Sequence, residues 1–270
     1  MLRTLVGTQQ KSHIAISLEP LTANQRFFFY QVNFIKLGKS VLNNFMSFQI
    51  INIILPNSKE SVRFPSKNRY LRDYTLEWLD KEIPSIETGD KIAIVWELRN
   101  KNVPVDTDGD KQYSFKIHPL WIPDQYSNDM KPLLKYAEKR IKGDVNILLQ
   151  YTQPARREGL LKDLYESVIN SPKKLTVTYA ETPLEGWRVI HDNNWSEHFR
   201  NTREGRYVKM YDGAGYAWSS DIGSKCLWQH KKKKNCIVNN SYVIDIDYPE
   251  EYNKFIELNE LRKNGMRTDN

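Results

Sequence analysis

Apolar positions alternate with polar ones from the start of the chain. In "HIAISLEP" Ile14, Ile16 and Leu18 fall on one face, the period of a half-buried strand. "RFFFYQVNFIKLG" and "MSFQIINIILP" follow, rich in aromatic and β-branched residues and closed by Gly or Pro, which predicts two strands with substantial burial. Leu76, Leu79 and Ile83 then recur at helical spacing in "YTLEWLDKEI", with Pro84 as the stop. "GDKIAIVWELRN" places Ile92, Ile94, Trp96 and Leu98 on one side and Lys91, Ala93, Val95, Glu97 and Arg99 on the other, the clearest strand pattern in the sequence. "KQYSFKIHPLW" repeats it with Tyr113, Phe115 and Ile117 inward. The Asp-rich link "NKNVPVDTDGD" between the two predicts a hairpin with a long tip.

From about Asn128 helical and strand periods take turns. "NDMKPLLKYAEKRIKG" offers Asn128 or Asp129 as N-cap, Leu133, Leu134, Ala137 and Ile141 as an apolar stripe, and Gly143 as C-terminal cap. Strand "DVNILLQYT", helix "ARREGLLKDLYESVI" and strand "KKLTVTYAE" come next, an order that permits a parallel β-α-β unit. Short strands ("GWRVIHD", "RYVKMYD", "CIVNNSYVIDIDY") lead to a final helix opened by Pro249 and ended by Gly265. The expected class is α+β: a β-rich, mostly antiparallel N-terminal half, then a mixed helix and strand half with a C-terminal helix. One domain over 1–270 is the simplest organisation, with 1–125 and 126–270 as its subdivision.

Length adds little, because 270 residues bury a core without disulfides or metals. Charge adds more. Forty Lys and Arg against 33 Asp and Glu give a formal charge of +7, which favours polyanionic partners at low salt. No stretch reaches the roughly 20 apolar residues of a membrane span, the N-terminus lacks the apolar core of a secretory signal, and two cysteines fit a reducing compartment. The expected location is intracellular, in the cytoplasm or, through the short basic cluster, the nucleus.

Candidate chemistry comes from a few stretches. "QHKKKKNCIVNN" sets Lys231, Lys232, Lys233 and Lys234 at the tip of a hairpin or longer loop, where lysines keep a sheet edge soluble or hold phosphates. Upstream, "HFRNTREGRYVKMY" interleaves basic and aromatic residues. Arg203 and Arg206 join Tyr207, Lys209 and Tyr211, three residues that share one face if the segment is a strand, so that bases stack on rings while cations hold phosphate. The same aromatics serve equally for core or subunit packing. Cys226, His230 and Cys236 offer zinc-type ligands outside any standard zinc spacing, with His198 or Asp221 needed as a fourth. Asp106, Asp108 and Asp110 resemble the start of a calcium loop, but Lys111 and Ile117 stand where its glycine and bidentate glutamate belong. Asp90, Glu97 and Arg99 are the nearest approach to a magnesium nuclease triad, and an exposed cross-strand ion pair explains them as well. His191 and His198 lie near Asp192 and Glu197 without a nucleophile beside them. "DGAGYAW" reads as a turn, and no GxxxxGK[ST] occurs.

Absence of a complete catalytic signature, dense Tyr and Trp, a basic balance and a β-rich chain favour a non-enzymatic, self-assembling structural protein without cofactor. A composition rich in Lys, Asn and Ile, usual for AT-rich genomes, points to a virus- or phage-encoded capsid or occlusion-matrix component. The alternative is a nucleic-acid-binding protein, in one version a magnesium-dependent nuclease.

Overall fold

A computed structural model describes residues 48–57, 70–101, 112–127, 129–183, 198–202, 205–229, 234–240, 246 and 248–263, with 181–183, 198–202, 205–210, 240, 254 and 258–263 described by backbone alone. The early strands predicted before Met46 lie outside these residues.

Gln49–Asn57 forms strand β1 and Lys91–Asn100 forms β2, with helix α1, Leu71–Ile86, between them. Strand β3 is Ile117–Ile122, α2 is Met130–Glu138, and β4 is Val145–Leu148. Helix α3 spans Leu160–Asn170 and leads to β5, Thr176–Pro183. Strands β6 (His198–Thr202) and β7 (Gly205–Ser219) make a hairpin, followed by a 3-10 turn at Ser224–Trp228, β8 at Asn235–Asn240 and α4 at Pro249–Lys263.

The strands join in one sheet of order β3-β2-β1-β4-β7-β5-β8, with β6 beside β7. Strands β3, β2, β1 and β4 are mutually parallel, and β8 is parallel to β5. Only β7 runs against its neighbours β4, β5 and β6. The expectation of a mostly antiparallel N-terminal half is therefore corrected. Strands β2 and β3 pair in parallel, Val95 beside Ile117, so the two do not form a hairpin. Burial explains the outcome. β1 carries "IINIIL" with no alternation, the signature of a parallel strand covered on both faces.

One face of the sheet packs Ile51, Ile53 and Leu55 of β1 and Ile147 of β4 against Leu76, Leu79 and Ile83 of α1 and Leu160, Leu161 and Leu164 of α3. The other packs Ile54, Leu98, Leu148 and Trp218 against Leu133, Leu134 and Ala137 of α2. Asp129 caps α2 by accepting from the Lys131 amide at 3.1 Å. Two expected stops fall elsewhere: Pro84 lies inside the last turn of α1, and α2 ends at Glu138, short of Gly143. Gly143 serves packing instead, since a Cβ there would lie 2.4 Å from Asn52 Nδ2. A third cluster joins α4 to the start of α1 through Leu71, Ile246, Tyr252 and Phe255.

Candidate functional site

From β1 the chain moves outward to β2 and β3 and then returns to β4 on the other side of β1. The order of the sheet thus reverses between β1 and β4, and in open α/β sheets the crevice outside the carboxyl ends of the strands at such a point is the usual place for a ligand. The connection after β1, residues 58–69, lies outside the described residues; its sequence holds Lys59, Arg63, Lys67 and Arg69. The loop after β4, residues 149–159, is described in full.

Beside this crevice, at the carboxyl end of β2, Glu97 has no exposed surface. One of its oxygens, Oε1, accepts from Arg72 Nε at 2.6 Å, Tyr151 Oη at 2.8 Å and Asn57 Nδ2 at 3.1 Å. The other, Oε2, accepts from Arg99 Nε at 2.6 Å, and Arg99 Nη2 is also 2.6 Å away. One carboxylate therefore ties together the ends of β1 and β2, the first turn of α1 and the loop after β4. Burial pushes its pKa up, but the charges of Arg72 and Arg99 and the hydrogen bonds outweigh that and hold it below the ordinary carboxylate value. Tyr151, fully buried beside that anion, is pushed well above the usual phenol range, first by burial and then by the Glu97 charge. Asn57 Oδ1 is buried and has no partner among the described residues.

The loop 149–159 carries many buried backbone groups, and side chains satisfy them. Arg156 donates to the carbonyls of Gln150 (2.6 Å) and Ala214 (2.9 Å) and to Thr75 Oγ1 (2.9 Å). Its guanidinium is pulled down to about 9 by burial, offset in part by Asp212, and stays charged at neutral pH. Asn239 donates to the Ala155 carbonyl at 2.9 Å and accepts from the Arg157 amide at 3.0 Å, while Trp78 Nε1 donates to the Arg157 carbonyl at 3.1 Å. Buried Glu82 accepts from the amides of Gly159 (2.8 Å) and Leu161 (3.3 Å), placing an anion at the N-terminus of α3. The Ile246 amide donates to the Thr152 carbonyl at 2.9 Å.

β7 forms the opposite wall. Its residues 216–219 pair with β4, and residues 205–215 continue past the end of that strand. Gly213, at φ +70, has the left-handed backbone that glycine accepts without strain, and a Cβ there would meet Gln153 Cγ at 3.4 Å and Gln150 Oε1 at 3.7 Å. Asp212 is buried, accepting from Thr178 Oγ1, from the Ala214 amide at 3.0 Å and from Asn239 Nδ2 at 2.7 Å. The loop 149–159 and the bend of β7 thus hold one another through buried polar groups, with Gln150 and Gln153 beside Gly213.

The sequence candidates scatter over this frame. Asp90 precedes β2 and Glu97 lies seven residues further on, roughly 23 Å away at strand rise. The two acids cannot share a metal, and Glu97 is engaged by arginines rather than exposed in a cross-strand pair. Tyr207, Lys209 and Tyr211 do lie on a strand, β7, as does Arg206; Arg203 lies outside the described residues. Tyr211 carries Lys234 Nζ 5.0 Å above its ring. Lys231, Lys232 and Lys233 lie outside the described residues, and Lys234 stands just before β8, whose first residue pairs with Thr176 at the start of β5. Through Tyr211 the Lys234 ammonium lies near Asp212 and Gly213 of β7, and since β5 separates β7 from β8, the lysine connection joins strands that are not neighbours. Cys226 is buried in the 3-10 turn, Cys236 is exposed on β8, and the two are not joined in a disulfide; His230 lies outside the described residues. Among the described residues no three of His, Cys, Asp and Glu gather to hold a metal ion. Asp106, Asp108 and Asp110 also lie outside them.

No protein-family model and no curated protein sequence matches the chain. Solved structures do. A CMP:2-keto-3-deoxy-manno-octonic acid synthetase complexed with CTP is similar over 80% of this chain and 100% of its own, with TM-score 0.51 and 14% identity. The 4-diphosphocytidyl-2C-methyl-D-erythritol synthase of Anaerococcus prevotii is similar over 77% of this chain and 99% of its own, with TM-score 0.51 and 12% identity. The chain has a nucleotidyltransferase-like fold. That likeness overturns the expectation of a virus- or phage-encoded self-assembling structural protein, and equally its nucleic-acid-binding and nuclease alternative. Dense aromatics misled because a large α/β core draws on the same residue types as a subunit contact.

The residues that build the crevice, Arg72, Gln150, Tyr151, Gln153, Arg156 and Asp212, carry no motif in the sequence. The available signal was the β-α-β reading of "DVNILLQYT" and its helix, since the loop after a parallel strand is where such sheets place their chemistry.

Proposed function

We propose that the chain is a nucleotidyltransferase, acting inside the cell where nucleoside triphosphates are plentiful, that joins a nucleoside monophosphate to a small sugar-like acceptor. An acceptor oxygen attacks the α-phosphorus, the bond between the α- and β-phosphates breaks, pyrophosphate leaves, and the acceptor proton passes to solvent. The single observation that carries this reading is the reversal of strand order between β1 and β4, with the charged cluster of Glu97, Arg72 and Arg99 at the carboxyl end of β2, in a fold whose solved likeness is complexed with CTP.

A triphosphate arrives with a divalent cation, and magnesium is held in such sites by one or two carboxylates plus the phosphates. A cation bound with the nucleotide would neutralise developing charge on the phosphates.

The test is pyrophosphate release from each of the four common nucleoside triphosphates with magnesium, over a panel of sugar acids, sugar phosphates and polyols. Release that requires both nucleotide and acceptor supports the proposal. No release with any pair, together with no nucleotide binding, refutes it.

A further inference from the structure

We infer that Glu97 is a positioning residue for nucleotide binding, acting through Arg99; the inference rests on the proposed nucleotidyl transfer. Glu97 is wholly buried, whereas the Arg99 side chain keeps 16% of its surface open at the carboxyl end of β2, next to β1. The carboxylate holds Arg99 by its Nε and Nη2 edge, both contacts to Oε2 at 2.6 Å. A guanidinium has five N–H donors in a fixed planar fork, so holding one edge sets the direction of the other. The second oxygen, Oε1, is occupied by Arg72, Tyr151 and Asn57, which fixes the carboxylate itself from the first turn of α1, the loop after β4 and the end of β1. A mobile surface arginine loses rotamer freedom when it grips a phosphate; one already clamped does not. Arg99 thus meets a phosphate of the nucleotide, and Glu97 sets its angle without touching substrate.

The test is a double-mutant cycle on nucleotide affinity in the full chain, using Arg99→Met, Glu97→Gln and the double variant. CTP, ATP, GTP and UTP are each titrated with magnesium, and KM and kcat are measured for the nucleotide that turns over. Arg99→Met is expected to weaken binding and raise KM roughly tenfold, the size of one lost charge-assisted hydrogen bond. Glu97→Gln should raise KM similarly while kcat stays within about threefold, and the double variant should be no worse than Arg99→Met alone, because the two residues act as a unit. A residue with only a structural role would lower melting temperature and active fraction, leave KM in place, and add to Arg99→Met. That additive result overturns the inference. So does unchanged affinity in Arg99→Met, a readout that survives if Glu97→Gln does not fold. If wild type binds nucleotide and Arg99→Met binds equally well, this inference alone fails; if wild type binds none, the nucleotidyl-transfer proposal falls with it.

Discussion

A carboxylate with no exposed surface must be paired, and Glu97 meets that condition with two arginines, a tyrosine and an asparagine. Removing its charge in Glu97→Gln leaves two guanidinium groups facing a neutral amide, and breaking a buried pair in this way costs about 3–5 kcal/mol. Urea unfolding of the variant at neutral pH should show that loss. The pH dependence has a definite sign. The folded pKa of Glu97 lies below its ordinary value of 4.5, so its stabilisation is complete above about 4.5 and disappears as pH falls through the lower folded value. Wild type should therefore lose stability on acidification over that window, and Glu97→Gln should lack this component; a superimposable pH profile for the two proteins would contradict the ion-pair assignment. Gly143 makes a second residue-scale case. The Cβ of Gly143→Ala would press on Asn52 Nδ2, and Asn52 is fully buried, donating to Asn146 at 3.0 Å and accepting from Trp96 Nε1 at 3.1 Å. The expected cost is about 1–3 kcal/mol, measured as a shift in urea midpoint.

Among the elements, α4 is the one whose attachment governs the site. It docks on the start of α1 through Tyr252 and Phe255, with Tyr74 edge-on to the Phe255 ring at 5.0 Å, and the same cluster buries Ile246 beside the loop after β4. Phe255→Ala should cost about 3–5 kcal/mol and reduce pyrophosphate release at temperatures where the central sheet, followed by far-UV circular dichroism, is still folded. Unchanged activity up to global unfolding would separate α4 from the site. The elements were also the most legible part of the sequence. α1, β2, α2 and α3 fall on stretches whose apolar period announces them, β1 on an apolar run without alternation, and α4 between Pro249 and Gly265. Pairing was not legible, for a physical reason in β2: Glu97 and Arg99 alternate with Trp96 and Leu98, the pattern of a strand with one wet face, yet the polar side is buried because its charges neutralise one another under α1. Period reports which residues share a face, while only the tertiary fold decides whether water reaches it. The candidate site was illegible for a related reason, since Arg72, Tyr151, Arg156 and Asp212 come from a helix, a loop and a strand that are far apart in sequence and form no run.

At the scale of the molecule, the proposed phosphate contact is Arg99, held by Glu97 at the carboxyl end of β2, and not the Lys231–Lys234 run. Replacing Lys231–Lys233 by serine should therefore leave nucleotide KM within about twofold of wild type, whereas Arg99→Met should raise it roughly tenfold. The most direct test of the account is a crystal structure of the full chain with a nucleoside triphosphate and magnesium, the nucleotide chosen by the binding titrations. The account predicts the triphosphate between the carboxyl ends of β1 and β4, bounded by the loop 149–159 and Gly213. Density elsewhere on the molecule, with the carboxyl ends of β1 and β4 empty, would contradict it.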